Sequence, residues 1–419
     1  MSGPVRFARL NQSVSALSYR LFERIGTSCS EGTTITDMRQ ALINGTIFDG
    51  DNWLHDHCVL LAGGDVAAVE QTAVVDLSGW VVHDLAGQQL VPGFIDLQVN
   101  GGGGALFNAD PSIETLRVIS AAHRQFGTTG LLPTLVTDSY DTMRKAIVAV
   151  EEAIDKAVPG ILGIHLEGPF LNPARRGIHD ASGMQELDEE GFEILTSLTA
   201  GTTLVTLAPE CTTADTIRRL REAGVIVSIG HSDATYQQAC AALEAGATGF
   251  THLFNAMSQM QNREPGVVGA AIVDRHSWFG IIADGHHVHP AMLQLALQSK
   301  CAGGAVLVTD AMPCVGTDNN SFELYGEAIT VEGGRCATAD GTLAGSNLDM
   351  WSAINNAVKL AGVSREQALC MASCYPAAAI KLAATHGYIR AGYQADLLLV
   401  SDAGPQACWI AGEHFKLGK

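Results

Sequence analysis

The chain has 419 residues, 47% hydrophobic and only 16% charged, a composition that fits a large globular protein and excludes a fibrous or disordered one. Its formal net charge of −19 excludes an extended nucleic-acid-binding face, which needs basic patches to replace phosphate counterions; a small anionic ligand needs only a local positive pocket. No apolar run reaches the roughly 20 residues of a membrane-spanning helix, and ten cysteines without a CxxC pair suit reduced cytosolic thiols better than a disulfide framework.

Residues 1–37 are rich in Ser, Thr and Arg and lack the apolar stretch of a secretory signal. Glu23, Glu31 and Asp37 argue against an organelle-targeting peptide. The expectation is a poorly ordered extension, with Met38 an alternative first residue. From 38 to 92, short apolar runs broken by turns ("QALINGTIFDG", "CVLLAGGDVAAV", "AVVDLSG", "GQQLVPG") predict small antiparallel strands. The tail over 386–419 has the same texture. Two strand-rich ends around a different middle imply one small β-sandwich domain built from both termini.

The middle, 93–385, alternates. The runs "FIDLQVN", "GLLPTLV", "GILGIHLEG", "TTLVTLAPE", "VIVSIGH", "GFTHLFN", "WFGIIADG" and "AVLVTDA" are separated mostly by windows of helical periodicity such as "IETLRVISAAHRQF" and "ADTIRRLREAG". Continuous apolar strands alternating with helices imply a parallel sheet covered on both faces. Eight of them predict an α/β fold of the (β/α)8 TIM-barrel type, whose active sites lie at the C-terminal strand ends.

Those ends carry Gln98 and Asn100, His165 and Glu167, Glu210, His231, His252 and Asn255, Asp284, and Asp310. Ionisable groups recurring there predict a functional site. Glu167, His231 and His252 are the candidate ligands of one divalent metal, since imidazole and carboxylate suit Zn²⁺ and similar ions and three protein ligands leave a position open. Asp310 is placed to work as a general base and acid, against the plainer role of a helix cap. "ADGHHVHP" offers three histidines, one of which could polarise a carbonyl. Arg263 in "NREPG" suits bidentate phosphate recognition.

The motifs "PGFIDLQVNG", "LPTLVT", "GIHLEGPFLNPARRGIH", "VTLAPE", "GHSDAT", "THLFNAM", "REPG", "ADGHHV", "VTDAM", "GTLAGS" and "YPAAAI" occur in that order. Together they resemble the N-acetylglucosamine-6-phosphate deacetylases of the amidohydrolase superfamily. The resemblance implies Glu167, His231 and His252 as metal ligands, Asp310 as catalytic acid/base, and His287 as the contact to the substrate carbonyl. It also implies Asn255, Ala256 and Arg263 at the phosphate end, with Arg263 reaching across a homodimer interface. Ile178, His179, Leu343, Ala344 and Gly345 would line the sugar. Where some members carry His-x-His and hold two metals, Gln98 and Asn100 are neutral amides, which implies one metal per subunit. Zn²⁺ is the first candidate, with Fe, Co or Mn able to use the same ligands. The implied reaction releases acetate from a phosphosugar in the cytoplasm. His289 sits where some relatives have an acidic residue. Two rivals are a hydrolase of cyclic amides, which would not need a phosphate clamp, and a non-catalytic scaffold, which would not need the intact ligand set.

Overall fold

The computed structural model describes residues 39–300 and 302–418; the expected extension 1–37 lies outside them. The eight apolar runs form one parallel sheet in chain order: β1 (Phe94–Val99), β2 (Thr128–Val136), β3 (Gly163–Glu167), β4 (Thr202–Leu207), β5 (Ile226–Ile229), β6 (Gly249–Phe250), β7 (Trp278–Ile281) and β8 (Ala305–Leu307). Nearly every residue in them is buried, as expected of strands covered on both faces. Pro133 sits inside β2, where it cannot donate to the ladder. The register to β1 shifts between Leu131 and Pro133, the irregularity that lets a central strand carry a proline.

The chain just past β8 closes the cylinder. Val99 bridges Ala311, and the Asp310 N–H donates to the Gln98 carbonyl at 3.0 Å. On the same seam, buried Asp96 accepts the Thr309 hydroxyl at 2.5 Å and the Thr309 N–H at 3.2 Å. The expected helices cover the outside. Ile113–Arg124, Tyr140–Asp155, Ala214–Glu222 and Tyr236–Ala245 each begin at a Ser or Thr whose hydroxyl accepts a first-turn N–H, and Thr235 with Gln238 forms a full capping box. Each buries an apolar stripe, such as Leu116 and Ile119 in the first, against the barrel.

Residues from both ends build two further sheets. One contains Gln40–Ile43, His57–Ala62, Asp65–Gln71 and Val81–Asp84; the other joins Thr46–Phe48, Trp53–Leu54 and Gln89–Pro92 to Leu397–Ser401, Gly404–Ile410 and Glu413–Lys416. Leu42, Ile47, Val59, Leu90, Leu397 and Trp409 share a core of their own. Pairing is not wholly antiparallel: Gln40–Ile43 runs parallel to Val81–Asp84, and Thr46–Phe48 parallel to Gln89–Pro92. The run "AVVDLSG" is no strand; Thr72–Val74 is a short 3-10 turn and the strand begins at Val81.

One further element has no counterpart in the periodicity of the sequence. Between β8 and the helix Met350–Asn356, four antiparallel strands (Ser321–Leu324, Glu327–Glu332, Arg335–Ala337, Leu343–Ser346) roof the C-terminal mouth of the barrel. The tip is fixed where the Tyr325 hydroxyl donates to the Thr137 carbonyl at 2.7 Å, just past β2. Its second turn meets His286 Nε2 through the Gly333 carbonyl at 3.1 Å. No helix among the described residues is long and apolar enough to cross a membrane.

Candidate active site

A cavity of about 370 Å³ opens beneath this roof at the C-terminal ends of the strands. Glu167 ends β3, His231 follows β5 and His252 follows β6. All three are at least 94% removed from solvent as side chains. The two Nε2 atoms lie 3.0 Å apart, and Glu167 Oε1 is 3.2 Å from His231 Nε2 and 3.0 Å from His252 Nε2.

That convergence tests whether a metal fits. His231 Nδ1 faces the Arg175 carbonyl at 2.9 Å; a carbonyl only accepts, so the ring proton sits on Nδ1 and Nε2 presents a lone pair. A lone pair aimed at a carboxylate and at a second imidazole nitrogen needs a positive charge between them. Two imidazoles and a carboxylate are a donor set for Zn²⁺-like ions, and no other group of three ligand side chains converges like this among the described residues. Burial pushes the Glu167 carboxyl up, but its two imidazole neighbours, His231 and then His252, outweigh it and hold Glu167 well below its usual range. Burial likewise opposes the charge of His252, and the Glu167 hydrogen bond and charge raise it instead.

Asp310 faces the same cavity. Burial first, then the nearby Glu167 charge, pushes its pKa up to about 6. Two amides at the end of β1, Gln98 within it and Asn100 one residue past it, hold it: Asn100 Nδ2 donates to Oδ1 at 2.7 Å and Gln98 Nε2 at 3.2 Å, while Gln98 Nε2 also lies 2.9 Å from Glu167 Oε2. Gln98 and Asn100 lie two apart across the end of the strand, and both side chains reach Asp310. The amides supply N–H groups to carboxylates instead of lone pairs to a cation.

His231, His252 and Asp310 all have positive φ, at 47°, 33° and 52°. Such strain costs about 1–3 kcal/mol per residue and persists only where the surroundings enforce it. Backbone bonds across strand ends do so here: Asn172 N–H to the His231 carbonyl, Leu253 N–H to Gly280, and Asp310 N–H to Gln98. Gly177, itself at φ 58°, passes so close that an added Cβ would sit 3.4 Å from His231 Cε1.

His287 is fixed by Asp284, whose Oδ2 accepts from Nδ1 at 2.6 Å. Burial pushes Asp284 up, but the His287 hydrogen bond and charge outweigh it and lower its pKa. With Nδ1–H so engaged, Nε2 donates into the cavity when the ring carries both protons. His179 is the reverse case. Thr137 N–H lies 3.3 Å from its Nδ1, and burial, with the neighbouring His231, brings its pKa down to about 3. The neutral ring therefore keeps its proton on Nε2, as a donor.

Ile178, Asn255, Ala256, Leu343 and Gly345 also line the cavity. Ala344 does not: its side chain is fully buried in the roof's small core with Met312, Cys314, Ile329 and Cys336. Arg263 is exposed on the surface and is not among the lining residues; Arg175 is. His289 is exposed and caps the helix Pro290–Ser299, its Nδ1 accepting the Ala291 N–H at 3.2 Å. His165 lies one layer below Glu167, bonded to Thr134 and Thr206 hydroxyls at 3.1 and 2.8 Å, and Glu210 lies outside the cavity lining.

Known proteins share this architecture. Residues 89–414 match the model of the amidohydrolase family. An N-acetylgalactosamine-6-phosphate deacetylase of Shewanella sp. (strain ANA-3) is 43% identical over 363 residues, covering 86% of this chain and 92% of that one. An N-acetylglucosamine-6-phosphate deacetylase of Haemophilus influenzae is 36% identical, covering 86% and 94%. The crystal structure of N-acetylglucosamine-6-phosphate deacetylase from Pasteurella multocida superimposes with a TM-score of 0.87 at 34% identity, over 90% of this chain and 100% of that one. The chain belongs to the amidohydrolase family, in its group of N-acetylhexosamine-6-phosphate deacetylases.

Proposed function

We propose that the protein hydrolyses the N-acetyl amide of N-acetyl-D-glucosamine 6-phosphate, giving D-glucosamine 6-phosphate and acetate. The observation that carries this reading is the meeting of Glu167, His231 and His252 with Asp310 in one cavity. Glu167, His231 and His252 would hold a divalent cation, which would supply Lewis acidity for the acetyl carbonyl and for a water molecule. One such ion per subunit is proposed, Zn²⁺ first, because Gln98 and Asn100 spend their amides on Asp310 and Glu167.

Asp310 takes a proton from the attacking water as the new C–O bond forms. It then gives that proton to the amide nitrogen, so that the C–N bond breaks to a neutral amine. A carboxyl with a pKa near 6 suits both halves of the task. His287, oriented by Asp284, donates from Nε2 to the carbonyl oxygen as negative charge develops there. His179 Nε2–H meets a sugar hydroxyl, and Ile178, Leu343 and Gly345 border the ring. Asn255 and Ala256 take the phosphate end. Arg263, exposed outside its own chain's cavity, is proposed to complete the neighbouring site of a homodimer.

Two strand-rich ends sharing one core support a sandwich domain of residues 38–92 and 386–419 beside a catalytic barrel of residues 93–385. Eight free cysteines among the described residues fit a reducing cytoplasm. A second reading, the 4-epimer N-acetyl-D-galactosamine 6-phosphate, is favoured by the 43% identity to a relative of that name. Acetate release from both 6-phosphates and from unphosphorylated N-acetylglucosamine tests the proposal. Turnover of the gluco 6-phosphate with little on the free sugar is expected; a strong preference for the galacto epimer moves the assignment to the second reading, and no acetate from either phosphate overturns both.

A further inference from the structure

Glu210 stands at the end of β4 and, unlike Glu167, turns its carboxylate away from the cavity. Both oxygens are engaged. Oε1 accepts Asn172 Nδ2–H at 2.9 Å and the Asp233 N–H at 2.6 Å, and Oε2 accepts the Ser232 hydroxyl at 2.7 Å. These three donors belong to the two loops that flank His231: one follows β3, the other follows β5.

Each link continues to the histidine. Asn172 donates its backbone N–H to the His231 carbonyl at 2.9 Å. Its side-chain oxygen accepts the Ala174 N–H at 2.9 Å and so caps the short turn Pro173–Arg175. Arg175, the last residue of that turn, supplies the carbonyl that receives the proton of His231 Nδ1. On the other loop, Ser232 and Asp233 follow His231 directly, and Arg175 donates from Nε to Asp233 Oδ1 at 2.8 Å. His231 itself sits at φ 47°, a conformation its own sequence does not favour.

We infer that Glu210 is a positioning residue for the metal site: it clamps the 172–175 and 231–233 loops together and thereby fixes both the backbone strain and the ring tautomer of His231. The inference rests on the proposed metal-binding role of His231. It assigns Glu210 no contact with substrate. Partners that orient a metal-bound imidazole typically change metal affinity 10- to 100-fold when removed, and three hydrogen bonds to one carboxylate are strong ones.

The test is metal affinity, measured without substrate by competition between the purified full chain and a chromogenic chelator for Zn²⁺. Glu210→Ala is expected to bind about 10- to 100-fold more weakly than wild type. Glu210→Gln keeps an oxygen for Asn172 and Asp233 and can donate to the Ser232 hydroxyl, so it is expected to stay within about threefold of wild type, a rescue that simple loss of stability would not give. If Glu210→Ala does not fold, Asn172→Ala and Ser232→Ala each remove one strand of the clamp and are expected to bind severalfold more weakly. Wild-type affinity in Glu210→Ala, or in both single-link variants, overturns the inference. A wild type that binds Zn²⁺ but releases no acetate overturns the proposed substrate and leaves the clamp standing; a wild type that binds no metal overturns the metal site and the clamp with it.

Discussion

Asn100, one residue past β1, donates to Oδ1 of Asp310, three residues past β8, at 2.7 Å. The bond favours the carboxylate against burial and against the Glu167 charge, the two effects that raise the Asp310 pKa to about 6. Removing it lets those effects act further. Asn100→Ala is therefore expected to move the acid limb of kcat/KM upward and to lower kcat about tenfold at neutral pH, the worth of a hydrogen bond to a charged group. A pH–rate profile of the variant beside wild type checks it.

The wild-type profile has its own expectation. The base form of Asp310 is the carboxylate, so activity falls as pH falls through its pKa. A raised pKa places that fall near 6, not near the usual 3.8, and the positive charge of a bound cation draws it downward from there. Activity that stays flat down to pH 4 would remove Asp310 from the role of base.

Asp310→Asn separates the base from the ligands. Asp310 is not one of the three converging donors, so the variant is expected to keep about one metal per chain while kcat falls about 10²- to 10⁴-fold. Metal analysis of the purified protein together with acetate release is the measurement. Stripping the metal with a chelator is expected to abolish activity and readdition of Zn²⁺ to restore it.

The barrel is legible because buried parallel strands are continuous apolar runs, and the convergence of Glu167, His231 and His252 because strand ends meet in such a barrel by construction. What the sequence could not separate is what a strand-end acid does. Glu167 and Glu210 both follow apolar strands, yet one faces the cavity and the other clamps loops. The difference lies in donors from Asn172, Ser232 and Asp233, which are distant or turned by local backbone. His165 carried the same ambiguity: it shares an inward face with Glu167 but sits one layer down among hydroxyls. The roof is illegible for another reason. Its strands are short and half exposed, and its tip is held by Tyr325 reaching Thr137, a contact across the fold that no local period records.

Asp284 offers a test of how His287 works. It accepts the Nδ1 proton at 2.6 Å and so aims the ring. An amide in its place, Asp284→Asn, removes the negative charge: either its oxygen accepts the Nδ1 proton, leaving Nε2 a lone pair, or its N–H₂ faces Nδ1, leaving Nε2–H the weaker donor of a neutral ring. The expected result is a fall in kcat of at least about tenfold with KM changed less. Equal loss in KM alone would assign the pair to ground-state binding.

Arg263 is exposed and absent from its own chain's cavity lining, and this geometry makes its role testable by mixing. Arg263→Ala is expected to raise KM for the 6-phosphate about 10-fold or more, the worth of a charge-assisted contact, with activity on the free sugar unchanged. Asp310→Asn is inactive for a different reason. In a twofold dimer formed from the two variants, one cavity would combine an intact Asp310 from its own chain with an intact Arg263 from the other. Random reassociation makes about half of the dimers mixed, each with one complete site, so about a quarter of wild-type activity returns at low substrate. Activity that does not rise above the sum of the separate variants, although mixed dimers form, places Arg263 in service of its own chain. A monomer in sedimentation removes the interface altogether.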